Sequence, residues 1–64
     1  MPQERWFSVI YPDEYNVPER KVRMWLSDAI ANGEIVEQVN PDTVEIEYAI
    51  ELLQDTGNVT FCHT

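Results

Sequence analysis

From Met24 to Thr64 the chain contains no lysine and no arginine. Contact with the phosphates of nucleic acid needs cations in numbers, and only four basic residues occur in all 64 positions. Direct nucleic-acid binding is therefore not expected. Cysteine occurs once, at Cys62, so no internal disulfide can form. A single thiol fits a reducing cytoplasm, and Met1 to Arg5 are polar and open no signal-peptide pattern. No Cys/His cluster has zinc spacing. Gly33 and Gly57 each stand alone, so no glycine-rich loop is present to cradle a phosphate. No apolar run approaches the roughly 20 residues of a bilayer-spanning helix.

What is present describes one small folded domain over residues 1–64. The chain is 44% hydrophobic, with apolar and aromatic residues along its whole length, which argues against disorder. A chain this short buries only about 60% of the surface its unfolded form exposes. With no disulfide or metal cluster in view, stability has to come from a compact aromatic core, extended by self-association. The charge is uneven. Residues 1–23 carry Glu4, Asp13, Glu14 and Glu19 against Arg5, Arg20, Lys21 and Arg23, four against four. The formal net charge of −8 thus lies entirely in Asp28, Glu34, Glu37, Asp42, Glu45, Glu47, Glu51 and Asp55.

The aromatic and β-branched run Trp6-Phe7-Ser8-Val9-Ile10-Tyr11 predicts a strand ended by Pro12-Asp13. Its faces, Trp6/Ser8/Ile10 and Phe7/Val9/Tyr11, are both largely apolar. Asp13 to Val17 reads as a loop. Pro18 suits a first helical position, and Val22, Trp25, Leu26, Ala29 and Ile30 form one apolar stripe at helical spacing. Asn32-Gly33 stops that helix, giving a helix over 18–32. Residues 34–39 suggest a short strand. Asn40-Pro41-Asp42-Thr43 reads either as a turn or as a helix start with Asp42 capping and Glu45 in capping-box spacing. Val44, Ile46, Tyr48, Ile50 and Leu52 alternate perfectly with polar or small residues, while Ile46, Ala49, Ile50 and Leu53 fit a helix. A helix over about 43–56 is favoured by its Glu, Ala and Leu content. A strand over 44–52, or a strand over 44–48 with a short helix over 49–56, are the alternatives. Asn58 to His63 reads as a closing strand with Val59 and Phe61 on one face. Each version is an α+β fold, with a small, mainly antiparallel sheet carrying the first helix on one face.

Catalysis needs a constellation of groups, and none is evident. Cys62 and His63 would point to opposite faces of a strand and cannot form a nucleophile–base pair; Cys62 is expected to pack and His63 to lie exposed. Ser8 and Ser27 lack a nucleophile-elbow setting. Asp55-Thr56-Gly57-Asn58 lacks the ligand spacing of a calcium loop. No enzyme activity, cofactor or metal is expected. Trp6, Phe7, Trp25, Tyr48 and Phe61 are assigned to the core. Tyr11 and Tyr15 flank a loop and are candidate interface anchors.

The acidic positions carry the sharpest expectation. Glu47, Glu51 and Asp55 at i, i+4 and i+8 form one helical stripe with a rise of about 6 Å per step. On a strand, Glu45, Glu47 and Glu51 would share a face instead. Like charges at i, i+4 cost a helix roughly 0.2–0.5 kcal/mol per pair, and Asp55 opposes the helix dipole. Local rules broken without compensation tend to mark function. A row of carboxylates is drawn to a basic groove, with Glu47, Glu51 and Asp55 central and Glu45, Glu37 and Glu34 at the rim.

In size and in the charge of residues 24–64, through Asp28, Glu34, Glu37, Asp42, Glu45, Glu47, Glu51 and Asp55, the chain resembles small acidic phage-encoded inhibitors of host defence, among them DNA-mimicking anti-CRISPR proteins. That class shares no motif, so no residue role carries over. The resemblance implies a protein partner with a nucleic-acid groove, such as a CRISPR effector subunit, occupancy rather than chemistry, and a host-cell cytoplasmic setting. The alternative is a structural or interaction module, or a homodimer, associating through Phe7/Val9/Tyr11.

Overall fold

The computed structural model of the chain describes residues 3–62. In chain order it contains β1 (Trp6–Tyr11), β2 (Tyr15–Pro18), α1 (Glu19–Ala31), α2 (Ile46–Asp55) and β3 (Thr60–Phe61). The sheet order is β2-β1-β3, with both pairings antiparallel. This is the expected α+β architecture. No helix among the described residues is long and apolar enough to cross a membrane.

β1 sits in the middle because its inner face is the one the core requires. Phe7 pairs with Val17 and Val9 with Phe61, so four apolar side chains meet on one side of the sheet. Val9, Val17 and Phe61 are buried there together with Val22, Leu26 and Ala29 of α1 and Ile46, Ala49, Leu52 and Leu53 of α2. Both helices therefore cover the same face. The outer face keeps Trp6 and Ile10 in solvent, with Ser8 Oγ donating to Asn16 Oδ1 between them.

α1 keeps the predicted stripe. Val22 and Leu26 are fully buried, and Trp25 and Ile30 are half-buried beside them. Pro18 is extended and lies just before the helix, one residue outside the expected start. Gly33 adopts φ 79°, which only glycine takes up without strain, and lets the amides of Gly33 and Glu34 turn back to the carbonyls of Ile30 and Ala29. α2 ends in the same way at Thr56-Gly57, with φ 80° at the glycine.

Several expectations are corrected. The predicted loop over 13–17 contains β2, because Val17 completes the inner face opposite Phe7 and the hairpin needs only three residues between strands. Residues 34–39 form no strand: the amides of Glu34 and Ile35 bond to Ala29 O, Ile35 alone is buried, and Val36 stands 87% exposed. The segment is a connector that crosses from α1 to α2. Asp42 caps no helix. Its amide bonds to Asn40 Oδ1, and Val44 N returns to Asn40 O, closing a turn. The ambiguous stretch is helical over 46–55, shorter than 43–56, and the strand readings of 44–52 and 44–48 fail. Burial follows Ile46, Ala49, Leu52 and Leu53, while Tyr48 of the alternating set is exposed. β3 is shorter than 58–63; Val59 and Phe61 do turn inward, but Cys62 is exposed rather than packed. His63 lies outside the described residues.

The guanidinium of Arg23 joins the two halves. Its Nε bonds to Glu19 at 3.1 Å, and its Nη1 donates to the carbonyls of Pro41 and Val44 at 3.0 and 2.7 Å. It is half-buried, so these charge-assisted bonds hold the 40–44 turn on α1.

Candidate functional site

The carboxylates of the second half divide between two surfaces. The first is the exposed side of α2. Because Ile46, Ala49, Leu52 and Leu53 face the core, Glu47, Glu51 and Asp55 project outward on the predicted stripe, with Tyr48 alongside. Val44, Glu45, Glu47, Tyr48 and Glu51 line a shallow surface hollow. Glu37 reaches this surface from the connector and accepts the Tyr48 hydroxyl at 3.2 Å. The Glu37 hydrogen bond and charge, followed by partial loss of water and then the charges of Glu51 and Asp55, push the Tyr48 phenol above its ordinary value. Glu37, Glu51 and Asp55 thus act on one ring, and Glu45 lines the same hollow.

Glu47 differs from its neighbours. It pairs with Arg5 Nη1 at 3.0 Å, with both side chains mostly in solvent, and Arg5 also lies over the Phe7 ring at 5.0 Å. The bond from Arg5 holds the Glu47 carboxyl below its ordinary range. The expectation that Glu47 belongs to an uncompensated row is corrected: among the described residues it is the one member with a counter-charge.

Two of the remaining cations are used elsewhere. Arg20 pairs with Glu4 and Arg23 with Glu19, both inside the balanced first half. Among the described residues, Asp28, Glu34, Glu37, Asp42, Glu45, Glu51 and Asp55 make no ion pair. Asp42 shares a surface hollow with Arg20 and Arg23 and belongs to neither acidic surface.

The second surface is a groove of about 310 Å³ where the C-terminal ends of α1 and α2 meet the β1–β2 turn. Tyr15 and Trp25 form an aromatic wall, edge to face with centroids 6.4 Å apart. Asp28, Asn32 and Glu34 come from the end of α1, and Thr56 and Asn58 from the end of α2. Asn58 Nδ2 donates to Glu34 Oε1 and ties the two helix exits together. Of the predicted rim and anchor residues, Glu34 and Tyr15 are brought together here and not on α2. Tyr11 is 54% exposed at the C-terminal end of β1 and is not among the lining residues of either surface.

Sequence reasoning missed Trp25, Asp28, Asn32 and Asn58. The available signal was the pair of helix exits, Asn32-Gly33-Glu34 and Thr56-Gly57-Asn58, each with polar residues flanking a glycine. The assignment of Trp6 and Tyr48 to the core is also corrected. Trp6 is 61% exposed on the outer sheet face, while Phe61 is buried and Phe7 and Trp25 are half-buried. Of the face Phe7/Val9/Tyr11, Val9 is in the core, Phe7 is half-buried and Tyr11 is exposed; on the opposite face Trp6 and Ile10 are exposed. Among the described residues no group of three or more His, Cys, Asp or Glu side chains is arranged to hold a metal ion. No protein-family model, curated protein or solved structure matches the chain.

Proposed function

We propose that this protein is a non-enzymatic inhibitor or binding protein. The α2 surface of Glu37, Glu45, Glu51 and Asp55 occupies a basic, nucleic-acid-binding surface of a partner protein and acts by excluding the nucleic acid. The observation that carries the reading is the distribution of counter-charge. Among the described residues, three of the four Lys and Arg side chains are each committed to a carboxylate, and of the eight acids beyond residue 23 only Glu47 receives one. What remains is a field of one sign on a helix whose other face is locked in the core. Such a surface speeds association with a partner of opposite sign and loses strength in salt. A CRISPR effector subunit is one partner of this type, in keeping with the resemblance to phage-encoded inhibitors.

The triple variant Glu45→Lys/Glu51→Lys/Asp55→Lys tests this directly. Wild-type protein, immobilised in bacterial lysate at low salt, is expected to retain a nucleic-acid-binding protein that is released by added duplex and by high salt. The triple variant, with native far-UV ellipticity, is expected to retain at least tenfold less. Equal retention by both proteins, or retention that duplex and salt leave unchanged, overturns the reading.

A second reading keeps the interaction-module alternative on a different face. Trp6 and Ile10 stand 61% and 49% exposed on the uncovered side of the sheet, which favours self-association there. Such a dimer would persist in high salt, because apolar burial is not screened.

A further inference from the structure

The groove between the aromatic wall and the two helix exits has a different character from the α2 surface. We propose that it receives a cationic side chain, specifically an arginine presented by a protein partner. The inference rests on the reading above only for the source of the cation, a basic protein; the chemistry of the groove is argued independently.

Three features of the groove favour positive charge. Asp28 and Glu34 line it, and Asp28 makes no ion pair among the described residues. The groove also lies at the C-terminal ends of both helices, where the macrodipoles present partial negative charge. Neither helix carries a basic residue in its last turn, so no cation on either helix offsets that partial charge. Finally, Tyr15 and Trp25 offer π-faces and edges beside the carboxylates, and an aromatic face attracts a cation.

Arginine fits this combination better than other ligands. A guanidinium stacks on an aromatic wall while its five N–H donors reach acceptors spread around the groove. Asp28, Glu34, Asn32 and Asn58 line the same groove as the rings and supply those acceptors. An anion would meet two carboxylates and two negative helix ends. A purely apolar ligand would strip water from carboxylates without replacing its hydrogen bonds. The volume of about 310 Å³ is at the small end of ligand pockets, suited to one side chain rather than an extended segment.

The probe is N-acetyl-L-arginine methylamide, with its neutral near-isostere N-acetyl-L-citrulline methylamide as control, in Trp6→Phe protein so that Trp25 is the one indole. The arginine probe is expected to shift Trp25 emission and the backbone amides of Asn32, Gly33 and Asn58 saturably, with a dissociation constant on the order of a few millimolar. The citrulline probe is expected not to saturate. Asp28→Asn/Glu34→Gln is expected to weaken binding about fivefold or more, and added salt is expected to weaken binding to the unaltered groove, which keeps the test valid should the double variant fail to fold. Equal shifts from both probes, no saturation of the arginine probe up to about 100 mM, insensitivity to salt, or unchanged binding by a folded double variant overturns the proposal. The Glu45→Lys/Glu51→Lys/Asp55→Lys protein is expected to bind the arginine probe within about twofold of wild type. Loss of partner retention in that variant therefore reports on α2, and loss of probe binding in the double variant reports on the groove.

Discussion

The two acidic surfaces of this protein are built on opposite principles. The α2 surface is laid over a finished fold. Its carboxylates stand in solvent, one phenol at its centre is their main internal contact, and the helix beneath is held by side chains on its other face. The groove is part of the fold itself. Trp25 touches both Tyr15 and Phe61, and Glu34 links the ends of the two helices. A surface of the first kind acts at a distance, through its summed field, and is indifferent to the placement of any one member. A surface of the second kind acts only at contact and depends on the shape that folding gives it. The same residue type, a carboxylate with no ion pair among the described residues, therefore stands in two physically different settings.

That contrast fixes what substitutions should do. The largest effect on stability is expected in the groove wall. Trp25→Ala removes a half-buried ring that packs against Tyr15 and Phe61 and should lower the unfolding free energy by about 2–3 kcal/mol in urea denaturation. Tyr48→Ala on α2 should leave the denaturation midpoint almost unmoved. A reversed order would erase the distinction between a surface built into the fold and one laid over it.

A smaller effect of opposite sign is expected at Asp55. This carboxylate lies in the last turn of α2, where the helix dipole disfavours it and where no basic residue is present. Asp55→Lys should therefore stabilise the protein by roughly 0.3–1 kcal/mol at low ionic strength, an effect that fades with added salt. Gained stability together with lost partner binding would mark Asp55 as retained for function at the expense of the helix. A destabilised Asp55→Lys protein would show instead that this carboxylate has a structural role.

The sequence carried most of the helical part of this account. The stripe from Val22 to Ile30 and the glycine stops at Gly33 and Gly57 are local signals, and local packing honoured them. The stretch from Val44 to Leu52 was readable only in part, because its period-2 and period-3.6 patterns share Ile46 and Ile50. What settles the choice is Ala49, fully buried beneath the helix, where a strand would have turned it to the polar face. β2 was hidden because Tyr15-Asn16-Val17-Pro18 has a single buried residue, and its strand character comes from pairing with β1. At the candidate site, the α2 stripe was legible from spacing alone. Its partial neutralisation was not: the partner of Glu47 is Arg5, 42 residues earlier in the chain. The groove was invisible for the same reason, since its lining comes from the β1–β2 turn and both helix exits.

Apart from Glu47, the carboxylates around α2 make no ion pair among the described residues, and Tyr48 reports on them directly. Its phenol donates to Glu37 and lies in the field of Glu51 and Asp55. In protein carrying Tyr11→Phe and Tyr15→Phe, Tyr48 is the one tyrosine left, and phenolate absorbance gives its titration. The account predicts a midpoint above the ordinary 10.0 that moves down in Glu37→Gln and in high salt. Because the folded phenol holds its proton longer than the unfolded one, stability should be full below the unfolded value and should fall as pH rises through the folded one. A midpoint at or below the ordinary value, unmoved by salt or by Glu37→Gln, would contradict the account, since no concentrated negative field would then surround that ring.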